Sequence, residues 1–378
     1  MSAERRRITY LSGTRADFGL MRRTLQETAQ LADLSVIATG THLERAFGHT
    51  VDEIEAAGLR VSARVPIDVT TRTPQSMSAG IGECLKGVTE ALVHERPDAL
   101  LLLGDRGEML AGAIAALHLG IPCVHIHGGE RSGTVDEPVR HAISKLASYH
   151  LVATQESRER LERMGEAAER IFVTGAPGLD GLVESAAMSA DEVTLALGLP
   201  LGRPFVLVLF HPVVQQAGDA HAQTLQVIAA LRETGLPVAW LEPNADAGSL
   251  EILRALDESP LPEGSRRIKH LERSLFSSAM RHCAVMAGNS SAGIIEAASF
   301  GTPVINIGER QRLRERNANV TDVPPATEAV LAAISAALTH GRWPCDNLWG
   351  VGHSAPRIAR LLADLPLPYS LLEKANVY

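Results

Sequence analysis

Aromatic residues are scarce in this chain, at 4% of 378 residues, and only four cysteines occur, Cys84, Cys123, Cys283 and Cys345. None of the cysteines shows CxxC spacing, which speaks against a disulfide framework and for reduced thiols in a cytoplasmic protein. No window approaches the roughly 18 consecutive apolar residues of a membrane helix. The N-terminal stretch MSAERRRITYLSGTRAD carries a basic run with no sustained apolar segment after it, so no signal peptide is expected. Basic residues are outnumbered, 36 Lys and Arg against 44 Asp and Glu for a net charge of −8. That balance excludes a general surface for nucleic acid or for anionic membranes. Any anionic ligand must then be held by a local arginine cluster. No internal repeat or low-complexity segment stands out.

The composition that remains is globular, with 45% hydrophobic and 21% charged residues. The length exceeds one ordinary core, so two domains are expected. In the first half, ITYLS (8–12), LSVIAT (34–39), DALLLL (98–103), PCVHIH (122–127), YHLVAT (149–154) and RIFVTG (170–175) read as strands. Between them, Met77, Ile81, Cys84, Leu85, Val88 and Leu92 form a helical stripe, and EMLAGAIAALHLG stops at Gly120 before Ile-Pro. After a Gly/Pro turn near residue 180 the rhythm restarts with FVLVLF (205–210), LPVAWL (236–241), RRIKHL (266–271), CAVMAG (283–288) and TPVINI (302–307). Continuous apolar strands alternating with helices predict parallel sheets covered on both faces, hence two Rossmann-like, doubly wound α/β domains with a cleft between them. Residues 1–180 would form the first domain and 181–355 the second. The helical stretch APRIARLLADL at the end could pack on either.

In such sheets ligands bind beyond the carboxyl ends of the strands. The residues just after each apolar run are therefore the ones to read. They are Gly13-Thr14-Arg15, Gly104-Asp105-Arg106, the segment HGGERSGTVDEPVRHAISK from His127, His211-Pro212, Glu242-Pro243-Asn244, Asn289-Ser290-Ser291 and Gly308-Glu309-Arg310. Each has a plainer reading. Asn-Ser-Ser before a helix serves as an N-cap as readily as a phosphate cradle. Arg106 beside Asp105 could be a surface ion pair, His211 a satisfied core histidine, and RQRLRER (310–316) a solvated run. Asp136 and Arg140 share a helix face that could simply be charged surface. Cys123, His125 and His127 alternate along one run, but no fourth ligand at zinc spacing accompanies them, so no metal is expected. Together, at the strand ends of two domains, these groups describe arginines and helix starts for a diphosphate, with carboxylates and imidazoles for proton transfer.

The ordered set GTRADFG, LLGDRGE, HIHGGERSGTVDEPVRHAISKL, FHPV, PNADAGS and GNSSAGIIEAASFGTPVINIGERQ spans nearly the whole chain. It resembles the hydrolysing UDP-N-acetylglucosamine 2-epimerases and, more distantly, their non-hydrolysing bacterial counterparts. The resemblance implies a GT-B fold, with residues 356–378 packing back toward the N-terminal domain. By motif, it implies that Arg15, Arg106 and Arg140 serve the nucleotide or sugar, and that His211 and Asn244 lie near the diphosphate. It further implies that Leu271 offers a backbone contact to uracil, that Ser290 and Ser291 bind phosphate, that Glu296 holds the ribose and that Arg310 binds the nucleotide. Asp105, Asp136 and His211 match the family's proposed catalytic groups, with Glu130 and His127 expected to share the proton transfers. His127 stands where several relatives have Glu. Gly107 replaces an aromatic usual after GDR, which would widen the sugar pocket.

The activity implied is conversion of UDP-N-acetylglucosamine to N-acetylmannosamine and UDP, in nonulosonic (sialic) acid biosynthesis. The route is anti elimination to 2-acetamidoglucal followed by hydration, without metal or other cofactor. The same reaction on UDP-2,4-diacetamido-2,4,6-trideoxyglucose of legionaminic-acid pathways is the alternative; a non-hydrolysing epimerase and a GT-B glycosyltransferase are further rivals. A homodimer or homotetramer is the implied assembly.

Overall fold

The computed structural model describes residues 5–377. The chain divides into two compact units. The first runs to Glu130, resumes over Asp136–Asp180 and takes in the C-terminal stretch from Trp349; the second comprises Arg131–Val135 and Gly181–Leu348. The second unit thus ends before residue 355, and a short loop inside HGGERSGTVDE belongs to it.

In chain order the first unit contains β1 (Arg7–Ser12), α1 (Arg15–Leu31), β2 (Asp33–Thr39), α2 (Val51–Ala56), β3 (Arg60–Val65), α3 (Pro74–Glu95), β4 (Ala99–Leu103), α4 (Gly107–His118), β5 (Cys123–Ile126), α5 (Asp136–Leu146), β6 (Tyr149–Val152), α6 (Gln155–Arg163) and β7 (Ile171–Val173). The seven strands are parallel, in the order β3-β2-β1-β4-β5-β6-β7. The central strands β4, β5 and β6 are buried at every position, as apolar runs covered on both faces require. One core layer joins Ile8, Tyr10, Leu101 and Val124 to Phe18, Met21 and Leu25 of α1; the opposite layer joins Leu11, Leu100 and Leu102 to Cys84, Val88 and Met109.

The second unit contains α7 (Leu182–Ser185), α8 (Ala190–Ala196), β8 (Val206–Leu209), α9 (Ala220–Thr234), β9 (Val238–Leu241), α10 (Ser249–Glu258), β10 (Arg266–Ile268), α11 (Arg273–His282), β11 (Val285–Gly288), α12 (Ser291–Ile295), β12 (Val304–Ile307), β13 (Val320–Val323) and α13 (Thr327–His340). Its six parallel strands run β10-β9-β8-β11-β12-β13. In each sheet the strand order reverses beside the first strand, between β1 and β4 and between β8 and β11. Such a switch point opens a crevice at the carboxyl ends of the two strands.

The chain closes with α14 (Ser354–Asp364) in the first unit. Its amphipathic sequence buries Ile358 and Leu362 in the layer that contains α1, and the Asp180 carboxylate accepts from the amides of Ser354 (2.9 Å) and Ala355 (2.8 Å). Beyond it, Lys374 donates to the carbonyls of Ser144 (2.8 Å) and Ala147 (2.7 Å), capping the end of α5. Its ammonium also lies 2.6 Å from the buried Glu166 carboxylate, which accepts from His150 and Lys145 as well. Burial alone would raise the Glu166 pKa; the imidazole and two ammonium groups override it and hold the group down to about 2.

Two strands, β3 and β13, are absent from the apolar-run reading. Both lie at sheet edges, and RVSARV and VTDV are exposed or half-buried at all but one position, so neither needs the apolar continuity by which strands are recognised.

Candidate active site

In the first unit the expected residues gather at the β1/β4 switch point and at the adjoining end of β5. The turn after β1 is fixed by Asp17, which accepts from the amides of Gly13 (2.9 Å) and Thr14 (2.7 Å) while Thr14 caps α1. Ser12 links that carboxylate to His42 (2.8 Å), whose other ring nitrogen meets Thr50 (2.8 Å). This brace holds Arg15 at the first turn of α1, with Nε 2.8 Å from the Glu53 carboxylate. Arg106 follows β4, with Nε 3.4 Å from Glu108, a buried carboxylate beside the Gly13 turn.

Asp105 is the group most constrained by its surroundings. Its side chain is 22% exposed and paired with Arg140, which is fully buried. The other arm of that guanidinium donates to the Glu130 carbonyl (3.1 Å). The sequence places Arg140 among the substrate contacts; in the fold it lies behind Asp105 rather than at an accessible surface. It does so because α5 turns Arg140, Ile143 and Ser144 inward, so this face is core rather than charged surface. Asp136 is the first residue of α5, one turn before Arg140 and partly exposed.

His127 and Glu130 form a buried pair through Nδ1. His127 has φ 62°, the left-handed region that a non-glycine residue rarely occupies and that tends to mark functional turns. Gly129 then has φ 73°, and a Cβ there would lie 2.3 Å from the Ser157 carbonyl, so only glycine lets this loop cross α6.

Gly107 meets the α3 side chains at close range. A Cβ at this first residue of α4 would lie 2.6 Å from the Ile81 side chain, so glycine here lets α3 and α4 approach closely. Gly19, by contrast, has nothing within 4 Å of the corresponding position.

In the second unit the β8/β11 switch point collects His211, Asn244 and Arg310 around Asn289, which sequence reasoning left unassigned. Asn289 Oδ1 accepts from the His211 amide (2.7 Å), and Nδ2 donates to the His211 carbonyl (2.8 Å). Arg310 donates to the Asn289 carbonyl (3.2 Å). The Asn244 amide donates to His211 Nδ1 (3.2 Å), which leaves the ring proton on Nε2 in the neutral tautomer. Asn289 was legible only as the first residue beyond the CAVMAG run; a side chain that clamps a neighbouring strand's backbone leaves no spacing signal.

Ser290 caps α12, accepting from the Ala292 amide at 3.4 Å, and Ser291 is partly exposed beside it. Glu296 is buried one turn on and paired with Arg273 at 2.6 Å; burial raises its pKa and the guanidinium opposes that rise. Leu271 lies half-buried between β10 and α11.

A family model described as UDP-N-acetylglucosamine 2-epimerase matches residues 23–363. The chain belongs to the UDP-N-acetylglucosamine 2-epimerase family. A UDP-N,N'-diacetylbacillosamine 2-epimerase (hydrolyzing) from Legionella pneumophila is 46% identical over 375 residues, covering 99% of this chain and all of that one. A UDP-N-acetylglucosamine 2-epimerase from Neisseria meningitidis serogroup B is 33% identical over 354 residues, covering 92% of this chain and 91% of its own. In fold, the chain resembles the crystal structure of a Neisseria meningitidis UDP-GlcNAc 2-epimerase bound to UDP-GlcNAc, with a TM-score of 0.78 at 18% identity over 94% of this chain and 99% of that one. The expected α/β fold of two parallel-sheet, Rossmann-like domains is therefore observed, as is membership of the epimerase family. No helix among the described residues is long and apolar enough to cross a membrane.

Proposed function

We propose that this family member is a hydrolysing nucleotide-sugar 2-epimerase that acts on UDP-N,N'-diacetylbacillosamine, the 2,4-diacetamido-2,4,6-trideoxyglucose nucleotide, in preference to UDP-N-acetylglucosamine. The order is the reverse of that expected from motifs alone. It rests on the full-length relative at 46% identity, whose name carries that sugar. The product would serve nonulosonic acid biosynthesis.

The chemistry rests on one observation: Asp105, Arg140, Glu130 and His127 interlock at the ends of the adjacent strands β4 and β5. Inversion at C2 requires removal of a weakly acidic proton and return of another from the opposite face. A partly exposed carboxylate held by a buried guanidinium suits the first task, and Asp136 or the His127–Glu130 pair the second. As the C2 proton leaves, the C1–O bond to UDP breaks and a C1=C2 double bond forms. Water then adds its hydroxyl to C1 and gives its proton to a protein carboxylate, while a second protein group delivers a proton to C2. Negative charge develops on the departing β-phosphate. His211 Nε2–H, the amides at the start of α12 and Arg310 are the donors of the second unit suited to it. Glu296 and the Leu271 backbone would serve the ribose and uracil.

Competition between the two nucleotide sugars in D2O, followed by proton NMR, tests the reading. The expected result is free 2-epimerised sugar with deuterium at C2, stoichiometric UDP, and kcat/KM about tenfold higher for the diacetamido substrate, a difference of about 1.4 kcal/mol in transition-state binding. A product that keeps its UDP would identify a non-hydrolysing epimerase, and no turnover without an acceptor a glycosyltransferase.

A further inference from the structure

One fully buried imidazole plays no part in this chemistry. His125 is the third residue of β5, and its side chain is inaccessible to solvent. Its Nε2 lies 2.7 Å from the carbonyl oxygen of Gly104, the residue before Asp105. A carbonyl only accepts, so Nε2 carries the proton. Nδ1 faces the buried Ser144 hydroxyl at 3.1 Å, one turn of α5 beyond Arg140. Burial pushes the imidazole pKa down to about 3, so the ring stays neutral and cannot itself exchange protons near neutral pH.

Gly104 has φ 79°, so the peptide that precedes Asp105 leaves strand geometry and can rotate unless something holds it. Two buried donors do. His125 holds the Gly104 carbonyl, and Arg140 holds the Asp105 carboxylate. Both are tied to the same helix: Arg140 belongs to α5, and Ser144, one turn on, meets His125 Nδ1 at 3.1 Å.

We infer that His125 is a positioning residue for the reaction: it fixes the Gly104–Asp105 peptide so that the Asp105 carboxylate is aimed at the substrate carbon, without itself touching substrate. The inference rests on the reading of Asp105 as a proton-transfer group.

The test compares His125→Leu, which removes the donor, with His125→Gln, whose amide nitrogen occupies a similar place along the side chain. Substrate deuterated at C2 reports on the proton-abstraction step. His125→Leu should lower kcat by about 10²-fold, the cost of misplacing a reacting group by about 1 Å. KM should stay within about threefold, and the C2 isotope effect should rise as proton removal becomes rate-limiting. His125→Gln should recover most of the rate. If His125→Leu proves unfolded, Ser144→Ala frees Nδ1 and should show the same rise in isotope effect with a smaller loss of rate. An unchanged isotope effect, or His125→Gln as poor as His125→Leu, would overturn the positioning role. Asp105→Asn, assayed in parallel, separates the two levels: wild-type turnover by that variant would show that the reading of Asp105 failed, and this inference with it.

Discussion

The candidate residues of the two units differ in how they are held. In the first unit, ionisable groups hold ionisable groups: Arg140 holds Asp105, Glu130 holds His127, and Glu53 and Glu108 lie against Arg15 and Arg106. In the second, neutral amides hold the imidazole, with Asn289 clamping the His211 backbone and the Asn244 amide fixing its ring, and the ion pair there is that of Glu296 with Arg273. A group that must gain and lose a proton benefits from charged neighbours, which bias its two states. A donor that must meet a developing anion benefits from fixed neutral dipoles, which need no reorganisation. On the function proposed above, the difference would separate proton transfer from anion stabilisation, unit by unit.

The largest expected effect tests that separation directly. Asp105→Asn should lower kcat by about 10²–10⁴-fold with KM within a few-fold, as loss of a general base does. Asn289→Ala, which releases His211, should cost about 10–10²-fold and raise KM for the nucleotide sugar as well, the removal of a whole oxyanion donor costing about 10²–10³. Steady-state kinetics check both, and similar kcat and KM changes in the two variants would break the comparison.

Acid should separate the units next. The folded Glu166 titrates near 2, below its ordinary 4.5, so its stabilisation is complete above 4.5 and drains away as pH falls toward 2. Glu296 in the second unit is shifted upward, so its protonation favours the folded form as pH falls toward 4.5 and costs nothing further below that. Hydrogen exchange between pH 5 and 2.5 should therefore lose protection first around β6 and α5, and later around β11 and α12. Lys374→Met should lessen this acid sensitivity by weakening the downward pull on Glu166. Equal loss in both units would contradict the assignment.

The smallest effect concerns glycines. Gly107→Ala should destabilise by about 1–3 kcal/mol, the usual cost of overpacking, with a Tm lower by several degrees. Gly19→Ala, at an uncrowded helical position, should be neutral or gain up to about 1 kcal/mol. Thermal melts of the two variants decide it.

The buried strands were legible because they must be apolar along their whole length, and the residues after them were singled out as candidates because an α/β sheet binds ligands at that end. Edge strands β3 and β13 were not, since solvent on their open sides removes the need for an apolar pattern. The inward placement of Arg140 and His125 was hidden for a different reason. An arginine on an amphipathic helix and a histidine on a strand look the same whether they meet ligand, solvent or each other's neighbours. Only the packing of α5 against β5 shows that both point inward. The close approach of Gly107 to Ile81 was hidden for the same reason, since the two are distant in sequence and leave no local trace.

Edge strand β3 has one more consequence. Its arginines at 60 and 64 are tied to Glu95 and Glu55, so the open rim of the first sheet presents charge to anything that approaches. A strand from another molecule would have to strip water from those ion pairs before it could add to the ladder. That cost opposes runaway sheet growth while the protein is being made at high concentration.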